Sequence, residues 1–97
     1  MIIVLAEIGI KGNITDEIIE ESQKLLEASL EEEGCLGYNV YNPLDKSNSL
    51  FFVEKWENKY SLEVHLKQAH FIGFHKGLGE AIDKVNISAY SSEEIEL

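Results

Sequence analysis

The chain of 97 residues contains no arginine, which limits the partners and substrates that it can bind. Its eight lysines stand against 18 acidic residues, and the formal net charge is −10 at pH 7. Such a chain lacks the basic surface that follows a phosphate backbone, so we expect neither nucleic acid nor an anionic membrane as a partner. Without the planar fork that arginine offers to carboxylates and phosphates, the chain is also expected to favour an uncharged substrate.

Cysteine and proline are scarce as well. The single cysteine, Cys35, excludes an intramolecular disulfide and fits a reducing compartment. The chain has one proline, and no Gly- or Ser-rich stretch is long enough for a linker. The apolar start, Met1 to Ala6, has no basic residue before it and ends at Glu7, so it predicts neither a signal peptide nor a membrane span. We therefore expect one cytoplasmic domain over residues 1–97, with an acidic tail over about 91–97.

The pattern of apolar residues predicts an α+β fold. Continuous or alternating apolar residues predict strands over 2–10, 36–41, 50–57 and 85–90. Helical spacing predicts a helix over 14–33, a short helix capped by Ser61, and a further helical segment over about 70–84. Asn13 or Thr15 can cap the first helix, and Gly34 stands where a left-handed C-cap belongs. The order βαββαβ predicts a ferredoxin-like sandwich.

Both faces of the predicted sheet are apolar. In the first strand, Val4 and Ala6 point to one side and Ile3 and Leu5 to the other. The helices of this fold cover only one face of the sheet. The other face would expose an apolar surface of roughly several hundred Å², which is large enough to need a partner. We therefore expect a homodimer in which two sheets pack face to face and close into an α+β barrel.

The three histidines do not predict a metal site. His65, His70 and His75 are spaced by five residues, which on a helix is about 140° between successive members. No pair at the spacing His-x-x-x-His lines one helix face, and Cys35 lies far away in the sequence. The sequence therefore predicts no metal.

Four short motifs, in this order, resemble the antibiotic biosynthesis monooxygenase family, which includes the quinol monooxygenases. They are Glu33-Gly34-Cys35-Leu36-x-Tyr38, Phe52-x-Glu54-x-Trp56-Glu57, Leu62-x-x-His65 and His70-Phe71. The resemblance extends from the first strand to about Val85. It implies a dimeric α+β barrel and, as in the characterised oxygenases of the family, oxidation of phenols or quinols by O₂ without metal or organic cofactor.

The resemblance also suggests which residues form the site. His65 matches the helix histidine of the family, and the near-neutral pKa of imidazole suits a base that removes a phenolic proton. Either Asn39 or Tyr41 would orient the substrate, and the aromatic walls would come from Tyr38, Phe52, Trp56 and Phe71. The sequence thus predicts a cofactor-independent monooxygenase that oxidises a small neutral quinol or polyphenol with O₂. Two alternatives remain open: an isomerase of the same fold with His65 as acid and base, and a non-catalytic module that binds a small ligand.

Overall fold

A computed structural model describes residues 1–45 and 47–97 of the chain. Within these residues, four strands form one antiparallel sheet, and three α-helices and a 3₁₀ helix (Gly79–Ala81) connect them. The strands are β1 (Ile2–Ile10), β2 (Cys35–Tyr41), β3 (Ser49–Trp56) and β4 (Ile82–Ser91); the helices are α1 (Asp16–Leu30), α2 (Lys59–Leu66) and α3 (Ala69–Leu78). The order of the strands in the sheet is β2-β3-β1-β4, which confirms the ferredoxin-like α+β fold.

The register of the sheet places alternate residues of neighbouring strands on the same face. Val4 pairs with Glu54 of β3 on one side and with Ala89 of β4 on the other. The apolar residues of β3 on the helix-covered face are buried, among them Phe52, which is 3% exposed, and Trp56, which has no exposed surface. On β4, at the edge of the sheet, Ile87 lies on the same face and is 56% exposed. This face carries the hydrophobic core of the domain.

The opposite face of the sheet lies open in the single chain. Leu5 is 46% exposed, and Phe51 and Tyr90 lie on the same face with 37% and 54% exposure. The sequence prediction that both faces are apolar and that helices cover only one of them is confirmed. In residues 1–45 and 47–97, none of the helices is long and apolar enough to cross a membrane.

The first helix begins at the predicted cap but ends earlier than predicted. The Thr15 side chain accepts a hydrogen bond from the Ile18 backbone N–H, so of the two candidate caps it is Thr15 that is used. The helix ends at Leu30 rather than near Glu33. Gly34 does have a positive φ of 84°, but it lies in the turn into β2 and not at a helix C-cap. An added Cβ there would collide with the Ser61 hydroxyl, so the close approach of α2 requires glycine.

The second helical region also differs from the prediction in its caps and its end. Asn58, not Ser61, is the N-cap of α2, since its side chain accepts a hydrogen bond from the Ser61 backbone N–H. The separation of the two helical segments agrees with the prediction: after α2 the chain breaks at Lys67 and Gln68 and starts α3 in a new direction. Because Gly79 has a φ of 42°, α3 stops at Leu78, and β4 begins at Ile82, three residues before the predicted strand.

Candidate active site

An apolar cavity of about 200 Å³ lies between the covered face of the sheet and the helices. Its floor comes from residues of β1, β2, β3 and β4, and its roof from α1, α2 and α3. Among the lining residues are Val4, Tyr38, Phe52, Glu54, Leu62, Leu66, Phe71, His75 and Ile87. A space of this kind, mostly hydrocarbon with a few polar groups, is typical of a site for a small organic molecule.

Glu54 is the one carboxyl group among the residues that line this cavity. It points to the covered face because it alternates with Phe52 and Trp56 along β3, and it is 5% exposed. The pKa of Glu54 is raised from 4.5 to about 7, mainly by burial. A hydrogen bond from Trp56 Nε1 to Oε1, 3.0 Å long, opposes the rise, and the charge of Glu32 contributes to it. This carboxyl group can therefore take up or release a proton near neutral pH.

His65 lies behind Glu54 and has no exposed surface. Its ring is enclosed by Trp56, Phe71 and Tyr38, with ring centroids at 4.6, 5.1 and 5.5 Å. His65 Nε2 is 3.9 Å from Glu54 Oε1 and has no hydrogen-bond partner within residues 1–45 and 47–97. Burial lowers the pKa of His65, and the hydrogen bond and charge of Glu32 offset part of this effect. The imidazole is therefore neutral at pH 7, and Nε2 can accept a proton.

Glu32 joins His65 to a second histidine. Its Oε2 accepts one hydrogen bond from His65 Nδ1 at 2.5 Å and another from His70 Nε2 at 2.7 Å. A carboxylate has only acceptors, so both of these ring nitrogens carry protons. Glu32 is held in place in the turn after α1, while the break after α2 brings the first turn of α3 back towards it.

A second cavity, of about 590 Å³, lies on the outer side of this cluster. Glu32 and His70 form part of its wall, and His65 does not. Glu31, Glu33 and Glu57 make the cavity acidic, and each of them is exposed. We call the two spaces the apolar cavity and the acidic cavity. His65 separates them, with Nε2 towards the first and Nδ1 towards the second.

This cluster was not predicted, because the spacing of the histidines was measured by the rotation of a single helix, although two separate helical segments were expected. With the break between α2 and α3, His65 and His70 meet on one carboxylate. Their three nearest ligand atoms lie within 4.8 Å of one another, and these residue types can hold a metal ion. Yet Oε2 is 2.5 and 2.7 Å from the two nitrogens, whereas ligands around one cation at about 2.1 Å stand roughly 3 Å apart or more. The spacing is that of hydrogen bonds.

The residues expected to form the site fall into three groups. Tyr38, Phe52 and Phe71 line the apolar cavity. Trp56 and His65 lie behind its wall with no exposed surface. Asn39 and Tyr41 lie on the opposite face of the sheet and do not reach this cavity, since they alternate with Tyr38 along β2.

Two residues of the cavity wall, Glu54 and His75, were not predicted as site residues. The signal for Glu54 was present in the sequence, because it is the single charged residue on the otherwise apolar stripe Leu50, Phe52 and Trp56. His75 offered no comparable signal. It comes to the cavity because α3 packs over the sheet, and burial lowers its pKa.

Comparison with known proteins identifies the family. Residues 1–77 match the family model described as antibiotic biosynthesis monooxygenase. The chain belongs to this family. A Bacillus subtilis (strain 168) protein named "Putative monooxygenase YcnE" is 32% identical over 74 residues, which cover 76% of this chain and 78% of the relative.

Solved structures of similar proteins have the same fold. A conserved protein from Methanosarcina mazei Go1 superposes with a TM-score of 0.86 at 32% identity, over 95% of this chain and 92% of that one. A structure described as a "putative antibiotic biosynthesis monooxygenase" from Deinococcus radiodurans gives a TM-score of 0.90 at 20% identity, over 100% and 97% of the two chains. At that identity, the likeness supports the fold alone.

Proposed function

We propose that this protein is a monooxygenase that oxidises a small neutral quinol or polyphenol with O₂ in the apolar cavity, without a cofactor. The observation that supports this most directly is a single carboxyl group, Glu54, in an otherwise apolar and aromatic space. Its pKa of about 7 suits it to accept a phenolic proton near neutral pH. Membership of the monooxygenase family supports the reaction class.

The proposed reaction begins with removal of a proton. Molecular oxygen reacts slowly with closed-shell molecules, and a phenolate gives up an electron far more readily than a phenol. Transfer of the phenolic proton to the Glu54 carboxylate would generate this anion within apolar walls, which keep water away from it. One atom of O₂ then enters the ring, and the other leaves as water together with two hydrogens of the quinol, so the product is a hydroxyquinone.

The roles in this proposal differ from those expected from the sequence. Glu54 takes the place of His65 as the group that contacts the substrate, because it lines the cavity and His65 does not. His65 becomes a positioning residue, with Nε2 3.9 Å from the Glu54 carboxyl group. Tyr38, Phe52 and Phe71 would hold the aromatic ring.

Oxygen uptake with a panel of reduced naphthoquinols tests the proposal. We expect native protein to exceed the uncatalysed rate and Glu54→Gln to lower kcat by roughly a hundredfold, since an amide cannot accept the proton. Glu57→Gln removes an exposed carboxylate outside the apolar cavity and should leave the rate unchanged. Uptake at the uncatalysed rate would refute the monooxygenase. A product with the same mass as the substrate would indicate the isomerase. A ligand that raises the thermal stability of the protein without being turned over would indicate the binding module.

We further propose that two copies associate through the open face of the sheet. This face carries Leu5, Phe51 and Tyr90, and burying such residues stabilises an association by about 25 cal/mol per Å² of apolar surface. Analytical ultracentrifugation should give twice the mass of the chain. Leu5→Glu should shift the protein to monomer, whereas Ile19→Glu, which changes an equally exposed residue on α1, should not. A native protein that stays monomeric would exclude this interface.

A further inference from the structure

Four groups that can carry protons lie in a row between the two cavities. This chain of groups runs from Glu54 in the apolar cavity to His65 Nε2, from His65 Nδ1 to Glu32 Oε2, and from there to His70 Nε2 in the wall of the acidic cavity. The longest gap is the 3.9 Å between Glu54 and His65, and the other two steps are hydrogen bonds of 2.5 and 2.7 Å. We propose that this chain carries protons between the apolar cavity and the acidic cavity.

The unpaired nitrogen of His65 supports a role for this residue beyond packing. In the part of the chain that the structure describes, His65 Nε2 is buried without a hydrogen-bond partner, although a buried polar nitrogen normally has one. It points at the carboxyl group that would hold the substrate's proton, and a small movement of Glu54 would bring it within hydrogen-bond distance. The unpaired state is the arrangement expected of an acceptor that is filled during the reaction.

The proton steps balance along the chain. The phenolic O–H bond breaks as Glu54 gains its proton, and Glu54 passes a proton to His65 Nε2. His65 then releases the proton on Nδ1 to Glu32. His70 carries a proton on Nε2 at rest, so this proton must first shift to Nδ1 by exchange with water in the acidic cavity. The free Nε2 then takes the proton from Glu32, which becomes a carboxylate again, and His70 releases its Nδ1 proton to water. The reverse sequence returns a proton when the second oxygen atom leaves as water, and it restores the original His65 tautomer. This inference rests on the proposed function, since it assumes that the reaction begins with a proton transfer to Glu54.

The charges around His65 come from several elements. Titratable groups near it are Glu32 from the turn after α1, Tyr38 from β2, Glu54 from β3, and His70 and His75 from α3. Of these, only Glu32 and His70 connect it to the acidic cavity. His70 is the outermost member, with 25% of its side chain exposed, and the cavity beside it is large enough to admit imidazole.

Chemical rescue of His70→Ala tests the relay. With a naphthoquinol that the native protein oxidises, we expect turnover of the variant to fall roughly tenfold and added imidazole to restore most of it in a saturable way. Glu63→Gln, which changes an exposed residue of α2 outside both cavities, should keep native turnover and show no response to imidazole. Rescue by a series of substituted imidazoles should follow their pKa values, because the added base moves a proton; a merely structural refilling of the hole would follow their size instead.

The outcomes separate this inference from the function on which it rests. If the native protein turns over substrate and the turnover rate of His70→Ala is within twofold of the native rate, the relay alone is overturned. The same holds if the variant is slow and imidazole does not restore its rate. Absence of native turnover overturns the proposed function, and the relay with it. A measurement without substrate checks the hydrogen bonds themselves: the His65 Nδ1 proton should give a low-field NMR signal that moves upfield in Glu32→Gln. If native protein gives no such signal, the chain of hydrogen bonds is wrong.

Discussion

The apolar cavity and the acidic cavity lie on the two sides of the buried His65 imidazole. The carboxyl group of the first is buried, whereas most carboxyl groups of the second are exposed to water. In the apolar cavity, Glu54 is the one carboxyl group of the wall, and burial moves its pKa to about 7. In the acidic cavity, Glu31, Glu33 and Glu57 are exposed and solvated. The difference shows that desolvation, and not the number of carboxyl groups nearby, is the main cause of the raised pKa of Glu54.

The largest expected effect comes from removing the residue that separates the cavities. His65→Ala should lower the free energy of unfolding by about 4 kcal/mol, because it opens a hole beside Trp56 and leaves Glu32 without its buried partner. His75→Ala is the matched change at a partly exposed histidine and should lower the free energy of unfolding by about 1 kcal/mol. Urea denaturation at pH 7 measures both. Equal losses would show that His65 is no more tightly integrated than His75.

A smaller, pH-dependent effect is expected from Glu54→Gln. Because folding raises the Glu54 pKa from 4.5 to about 7, its contribution to stability is complete below about pH 4.5 and is lost as the pH rises through 7. The glutamine side chain does not titrate. Between pH 4.5 and 8.5, the free energy of unfolding of Glu54→Gln should therefore rise relative to that of the native protein by up to about 3 kcal/mol.

Urea denaturation at several pH values measures this gain. Glu57→Gln, in the acidic cavity, provides the control and should differ from the native protein by less than about 0.5 kcal/mol at each pH. A constant difference between native protein and Glu54→Gln would contradict the contrast between the two cavities.

The smallest effect concerns the turn that positions Glu32. Gly34→Ala should destabilise the protein by about 2 kcal/mol, since φ is 84° and the new Cβ would press on Ser61. Gly12→Ala has a similar φ of 72° but open space around it, and should cost about 1 kcal/mol. Thermal denaturation of the two variants compares backbone strain alone, in Gly12→Ala, with backbone strain plus a steric clash, in Gly34→Ala. If they prove equally stable, Ser61 yields to the added methyl group.

Alternation along the strands made much of the fold and part of the site predictable. It assigned Phe52, Glu54 and Trp56 to the same face of β3, and the structure places all three there. The cap at Thr15 also follows from local chemistry. The helix ends were predicted less well. The helix α1 ends at Leu30 although the positive φ of Gly34 was expected, and α3 ends before the positive φ of Gly79, which spacing alone does not reveal.

The sequence by itself determined the ferredoxin-like order of elements, the two apolar faces of the sheet and the absence of an arginine-based anion site. These properties depend on residue type and on periods of 2 and 3.6 residues, which are local. Only the tertiary structure decided that Glu54 faces the cavity, that His65 is buried behind it, and that His65 and His70 share Glu32. Those relations join residues 11 to 38 positions apart, and they depend on how a two-residue break redirects α3.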